Sequence, residues 1–86
     1  MNLKVDVPVF VIFVSNPKGA KIYPISIHWD GRDYKVTRIG LHHNFRVGRT
    51  LYHIFSVVSG DTFFRLSLNT DNLLWRLQEI SDGLPS

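Results

Sequence analysis

The sequence predicts an all-β fold, a five- to six-stranded antiparallel meander that forms a strongly curved sheet or a small open barrel. Apolar and polar residues alternate along several segments, and β-branched and aromatic residues dominate those segments. Turn-forming residues separate them at hairpin spacing. The length predicts one domain over residues 1–86, with an ordered core from about residue 5 to about residue 80.

The hairpin around Asp30 and Gly31 is the element that the sequence defines best. Asp-Gly favours a two-residue type I′ turn, because both turn positions need a positive φ angle. The turn predicts the pairs Trp29–Arg32, His28–Asp33, Ile27–Tyr34, Ser26–Lys35 and Ile25–Val36. Because side chains alternate between the faces of a strand, one face collects the apolar residues Ile25, Ile27, Trp29, Tyr34 and Val36.

The first strand is predicted from Val5 to Val14, and it is apolar at every position from Val9 to Val14. Both of its faces should therefore be covered, either by a central place in the sheet or by edge pairing with a second copy of the chain. The run is far shorter than the roughly 18 residues of a membrane span, so we expect no membrane segment. No small-residue cleavage site follows it, so we expect no signal peptide either.

The middle of the chain predicts a bend. Strand 2 is expected from about Lys21 to Trp29, and strand 3 begins at Arg32. The apolar positions of strand 3 change parity near Thr37-Arg38, which predicts a β-bulge and adds twist to the sheet. A polar, basic loop is predicted from Asn44 to Arg49.

The last part of the chain predicts two more hairpins. Strand 4 runs from Thr50 to Val58, and a Gly60-Asp61 turn pairs its Val57, Phe55 and His53 with Phe64, Leu66 and Leu68. A four-residue loop then places Leu68, Leu66 and Phe64 opposite Leu73, Trp75 and Leu77. Residues 71–80 also fit the period of a capped helix, and the strand is favoured because its partner is already present.

Composition excludes several classes of function. The 86 residues contain no cysteine, which excludes disulfides, thiolate chemistry and cysteine-bound zinc, and which fits a cytoplasmic protein. The formal charge of +3 is mildly basic and permits an anionic partner.

We expect no enzymatic activity, no cofactor and no metal site. Phosphate-binding, dinucleotide and nucleophile-elbow motifs are missing, and Glu79 is the one glutamate. His42 and His43 are adjacent, so in a strand they point to opposite faces and cannot bind one metal ion. Three residues form a possible ligand pocket, namely His28, Asp33 and His53. The simpler interpretation is a cross-strand polar pair plus a satisfied core histidine.

The arginines suggest a binding function. The register predicted above places Arg65 and Arg76 side by side on the face opposite the core. Arg46 and Arg49 in the basic loop could reach the same ligand, and Arg38 is the fifth candidate. Curved sheets with a basic, polar face bind single-stranded nucleic acid. The sequence therefore predicts a non-enzymatic binding module, with single-stranded nucleic acid as the leading partner. The alternative is a protein-interaction or structural domain that homodimerises through Val9 to Val14.

One motif resembles a family of small bacterial all-β domains of unknown function. It is the hairpin Pro24-x-Ser26-x-x-Trp29-x-Gly31-Arg32-x-Tyr34-x-Val36, followed by aromatic-rich strands and Trp75-x-Leu77. The resemblance covers roughly residues 8–80 and implies a fold. Some members of the family accompany DNA-repair polymerase proteins, which implies an accessory role related to nucleic acid. This chain departs from the family at His42-His43-Asn44-Phe45, where a longer tryptophan-rich segment is expected. No catalytic residue is implied.

Overall fold

Seven antiparallel strands form one sheet in the computed structural model, which describes residues 2–18 and 21–82. The strands are β1 (Asn2–Asn16), β2 (Lys21–Trp29), β3 (Arg32–Lys35), β4 (Arg38–Val47), β5 (Thr50–Ser59), β6 (Thr62–Asn69) and β7 (Leu74–Asp82). Their order in the sheet is β3-β2-β1-β7-β6-β5-β4. Strands that follow one another in sequence mostly pair, and the pairing of β1 with β7 joins the two halves.

The sheet curves so strongly that its two ends converge at the connection between β3 and β4. Val36 donates its backbone N–H to the Ile25 carbonyl on β2 at 2.9 Å, and Thr37 donates to the Val58 carbonyl on β5 at 2.8 Å. The Thr37 hydroxyl donates to the same carbonyl at 3.0 Å. Two consecutive residues thus bind strands near opposite ends of the sheet. The predicted antiparallel, strongly curved sheet is confirmed, and its form is a half-barrel.

The predicted count of five to six strands is wrong, because the predicted strand 3 is two strands. The chain leaves β2 after Lys35 and joins β5 from Arg38 onward. The parity change occurs here, and a bulge follows between Ile39 and Leu41. The predicted loop from Asn44 to Arg49 is also wrong. β4 continues to Val47, and only Gly48 and Arg49 form the turn to β5.

The concave side of the sheet holds the core. Its buried members come from β2, β5, β6 and β7, and are Ile27, Phe55, Val57, Phe64, Leu66, Leu68, Trp75 and Leu77. Aromatic contacts link the strands, with ring centroids 4.8 Å apart for Tyr34–Phe64 and 5.5 Å apart for Phe55–Trp75. Burial of this apolar surface is the main force that holds the curved sheet together.

The two tight hairpins have the predicted registers. His28 pairs with Asp33 across the first, and His53 pairs with Leu68 across the second. Asp30 and Gly31 have φ angles of 53° and 75°, as a type I′ turn requires. Ile25, however, was predicted on the core face and is 41% exposed. A bulge in the β1–β2 pairing lies at this point and turns Pro24 inward instead.

The last segment is a strand, which decides between the two sequence-based interpretations. Its predicted register is wrong by two residues, because the loop from β6 is residues 70–73. Leu68 pairs with Trp75 and Leu66 pairs with Leu77, so the same side chains still face the core. A bulge after Leu77 then places Glu79 opposite Arg65.

Candidate interaction surface

The outer face of β1 exposes large apolar side chains. Phe10 is 79% exposed, Ile12 is 66% exposed and Val14 is 51% exposed. The alternate residues of the same strand point inward and pack against the core. The sequence predicted that both faces of this strand are covered, and within the described residues only the inner face is.

The exposed surface continues onto β2. Val14 on β1 pairs with Tyr23 on β2. Ile25 is the extra residue of the bulge and has no partner on β1, because Pro24 pairs with Phe13 and Ser26 pairs with Ile12. We call these five residues the apolar strip: Phe10, Ile12, Val14, Tyr23 and Ile25. None carries a charge, and a soluble monomer rarely exposes so many contiguous large apolar side chains.

The same strand also has an unpaired edge. β1 pairs with β7 only as far as the rung of Val9 and Trp75, because β7 begins at Leu74. Beyond that rung, residues 11–16 pair with β2 alone among the described strands. We call residues 11–16 the open edge. Such an edge presents unpaired backbone N–H and C=O groups that another strand can bind.

A cleft of about 650 Å³ lies where β1 and β7 diverge. One wall is β1, with Val11 and Phe13, and the other includes Leu73 and Trp75. Polar side chains at its margin are Ser67, Asn69, Asn72 and Arg76. The volume falls within the range of roughly 300–1,000 Å³ that is typical of ligand sites.

Trp75 gives this cleft an unusual feature. The residue is 4% exposed and packs between Phe13 and Phe55, with ring centroids 5.4 and 5.5 Å away. Its indole Nε1–H is buried and has no hydrogen-bond acceptor among the described residues. The sequence predicts Trp75 opposite Leu66 in the sheet, and nothing in it shows that the indole N–H lacks an acceptor.

Arg65 and Arg76 do not form the predicted side-by-side pair. Arg65 lies opposite Glu79, and Arg76 lies opposite Ser67. The Arg76 guanidinium donates through Nε to Asp6 Oδ1 at 2.8 Å and through Nη2 to the Asp6 carbonyl at 2.7 Å. Both arginines are on the outer face, but each has an acidic neighbour.

The other arginines are dispersed. Arg46 lies opposite Leu51 near the end of β4, Arg49 is in the turn that follows, and Arg38 lies opposite Val58 at the start of the strand. Arg46 shares the face of β4 that carries the core-facing residues, whereas Arg65 and Arg76 face outward. The five candidate arginines therefore do not form one basic face.

The outer face does carry an aromatic pair that sequence analysis missed. Phe45 and Tyr52 pair across β4 and β5, with ring centroids 5.4 Å apart and planes 14° apart. Phe45 is 44% exposed. The alternation of Phe45 and Val47 with polar residues was the available indication that this segment is a strand and not a loop.

The proposed pocket of His28, Asp33 and His53 is divided between the two faces of the sheet. His28 Nδ1 donates to Asp33 Oδ1 at 2.6 Å on the exposed outer face, as the cross-strand register predicted. His53 is buried on the concave face. None of the three lines the cleft, so the structure does not bring them together as one site.

The partner of His53 is His42, which sequence analysis did not pair with it. His42 Nε2 lies 2.8 Å from His53 Nδ1, and the His42 ring stacks on Phe55 with centroids 4.2 Å apart. Burial lowers the pKa of His53. Burial, and then the charges of His53 and His43, lower the pKa of His42. One nitrogen donates and the other accepts, so this hydrogen bond requires at least one neutral ring.

Other features bear on the remaining predictions. Among residues 2–18 and 21–82, no three histidine, cysteine or acidic side chains are arranged to hold a metal ion. No helix long and apolar enough to cross a membrane occurs in that part of the chain.

Comparison with known proteins adds no relative: no protein-family model, no curated protein and no solved structure matches this chain. The resemblance to the family of small bacterial domains therefore stays a prediction.

Proposed function

We propose that this chain is a non-enzymatic protein-interaction module that self-associates through the apolar strip on β1 and β2. The observation that carries the proposal is the exposure of Phe10, Ile12 and Val14 on one face of a single strand. Removing such surface from water is the usual driving force for association. The cysteine-free composition supports a cytoplasmic setting for it.

A second copy of the chain suits this surface. The strip contains no charge, so two copies related by a two-fold axis meet without like-charge repulsion. Its exposed side chains present on the order of 500 Å² per copy, given the size of aromatic and branched residues. Two copies bury about 1,000 Å², the lower limit for a specific interface.

The expected mode is face packing of two sheets. The simplest edge pairing of two β1 strands is limited, because β2 occupies one edge and β7 occupies the other as far as Val9. Two sheets that pack face to face lie about 10 Å apart and interdigitate their side chains. Phe10, Ile12 and Val14 all project from the face that such packing covers.

Sedimentation equilibrium of two matched variants tests the proposal. Ile12→Lys places a charge in the strip, and Val47→Lys places the same charge on β4 at a site that is similarly exposed, 60% against 66%. We expect Ile12→Lys to raise the dimer dissociation constant by more than tenfold, whereas Val47→Lys leaves it within about twofold. A wild-type chain that stays monomeric at millimolar concentration, or equal effects of the two variants, would contradict the proposal.

Single-stranded nucleic acid is the second candidate partner, and one specific observation favours it. The Phe45–Tyr52 pair, in which Phe45 is exposed and Tyr52 is partly buried, is an aromatic platform on the same outer face as Arg65 and Arg76. Bases stack on such rings with little dependence on sequence. The dispersal of the arginines and the acidic partners of two of them make this the weaker candidate.

A titration with a short thymidine oligonucleotide separates the second candidate from the first. Amide shifts around Phe45 and Arg65 that fade with added salt would support nucleic-acid binding, because phosphate contacts release counterions. Phe45→Ala should then weaken binding about tenfold, and Val14→Ala, which is exposed on β1 far from this surface, should not. Unchanged spectra at low salt would exclude this partner.

A further inference from the structure

The cleft between β1 and the start of β7 has the features of a strand-accepting groove. We propose that it binds an extended peptide segment of another protein as an added β-strand. This goes beyond self-association, because Phe10 is the one member of the apolar strip that also lines the cleft, and Ile12, Val14, Tyr23 and Ile25 do not. The two proposals can therefore fail separately.

The backbone of the open edge supplies the first part of the argument. In an antiparallel strand, alternate residues direct both N–H and C=O to the same side. Along residues 11–16 that side has no strand partner in the described chain. An extended peptide satisfies these groups by main-chain hydrogen bonds, which is how strand addition gains affinity.

The side chains of the cleft supply the second part. Val11 and Phe13 form one wall, and Leu73, Leu74 and Trp75 form the other. A peptide strand presents alternate side chains to each face, so every second side chain enters this apolar space. The cleft thus fits a segment with apolar residues at alternate positions.

Trp75 lies in the wall of the cleft and provides a reporter for its occupant. Its Nε1–H is a buried donor without an acceptor among the described residues, and an unpaired buried donor is unfavourable by about 1–3 kcal/mol. Indole nitrogens in proteins usually find an acceptor when they are buried. Because this atom is closed to solvent in the free chain, its resonance reports a rearrangement of the cleft wall when the cleft is filled.

Charge restricts the segment further. The lining has one cation, Arg76, and no acidic residue, and Arg76 is already paired with Asp6. A basic segment finds no counter-charge there, whereas a neutral one needs none. The occupant is therefore an uncharged, extended segment with alternating apolar residues.

The indole resonances of the two tryptophans provide the test. The wild-type chain, isotope-labelled, is titrated with an end-capped hexapeptide of alternating threonine and valine. We expect the Trp75 Nε1–H resonance to shift while that of Trp29 stays constant, because Trp29 does not line the cleft. Amide protons of residues 11–16 should become protected from exchange in the same samples.

Two controls separate strand addition from simple apolar contact. The same hexapeptide with alternate backbone nitrogens methylated keeps its side chains but loses edge hydrogen bonds, and it should bind at least tenfold more weakly. Leu74→Glu changes a wall residue that is 63% exposed and should weaken binding severalfold, whereas Val47→Glu, at 60% exposure outside the cleft, should not.

Three results would overturn the proposal. The first is an unchanged Trp75 resonance at millimolar peptide. The second is equal binding of the methylated and unmethylated peptides, which would show that the edge takes no part. The third is a Trp75 shift that follows protein concentration without peptide and is lost in Ile12→Lys, which would assign the cleft to the dimer contact.

Discussion

His42 and His53 share a hydrogen bond at 2.8 Å that cannot survive the protonation of both rings. The pKa of each is lowered, His53 by burial and His42 by burial and then by neighbouring histidine charge. The folded chain therefore binds protons at these sites less readily than the unfolded chain.

The first prediction is a loss of stability in acid. A lowered pKa in the folded state contributes stability that is fully present above the unfolded value of about 6.5 and is lost as pH falls below it. Urea unfolding at pH 7.5 and pH 5.0 should show a decrease on the order of 1 kcal/mol, the typical net value of one hydrogen bond. The double variant His42→Phe, His53→Phe should lose most of this dependence, and an unchanged dependence would refute the assignment.

Asp6 is the second residue with a specific conformational role. Its φ angle is 52°, at the bulge where the β1–β7 register shifts between Lys4 and Val7. Arg76 binds both its carboxylate and its carbonyl and so holds the bulge in place. Asp and Asn tolerate the left-handed region better than branched residues do.

Substitutions at Asp6 should therefore separate charge from conformation. Asp6→Asn keeps a residue that tolerates the left-handed backbone region and removes an exposed ion pair. The free energy of unfolding should therefore fall by less than about 1 kcal/mol. Asp6→Val adds a β-branched side chain in the left-handed region and should lower it by a further 1–2 kcal/mol or so. Equal urea midpoints for the two variants would contradict this explanation.

At the scale of elements, the type I′ hairpin of β2 and β3 depends on the backbone of Gly31. A Cβ atom there meets nothing within 4 Å, so any penalty comes from its φ angle of 75° alone. Gly31→Ala should therefore lower the free energy of unfolding by about 1–2 kcal/mol. Gly40→Ala is the control, because the φ angle of Gly40 is not positive. A Cβ atom added there would lie 3.6 Å from the Ser56 carbonyl oxygen, which is an ordinary van der Waals contact. Equal losses in the two variants would mean that backbone conformation is not the cause.

Elements that depend on a local turn could be predicted, and those that depend on a bulge could not. The Asp30-Gly31 and Gly60-Asp61 turns each fix the register of the two strands that they connect, because the residues that flank the turn must pair. Both registers are confirmed. The β6–β7 register depends on where a longer loop closes, and a bulge after Leu77 then shifts it again. The predicted pairing of Arg65 with Arg76 is wrong for this reason.

At the scale of the whole molecule, the curved sheet and its core could be predicted because the apolar positions alternate. The segment of the proposed interaction surface, Val9 to Val14, could also be predicted, but the exposure of one of its faces could not. A run that is apolar at every position predicts coverage on both faces, and the exposure of Phe10 and Ile12 depends on what lies over the outer face. The cleft likewise depends on where β7 begins, at Leu74, because the pairing of β1 with β7 then ends at the rung of Val9 and Trp75.

The whole-molecule prediction concerns the face by which two copies meet. Isotope-filtered NMR on an equal mixture of labelled and unlabelled chains detects contacts between copies directly. We predict intermolecular contacts among the side chains of Phe10, Ile12 and Val14, absent from the Ile12→Lys variant. Contacts confined to the β4 edge, or none at a concentration where the chain sediments as a dimer, would contradict self-association through the apolar strip.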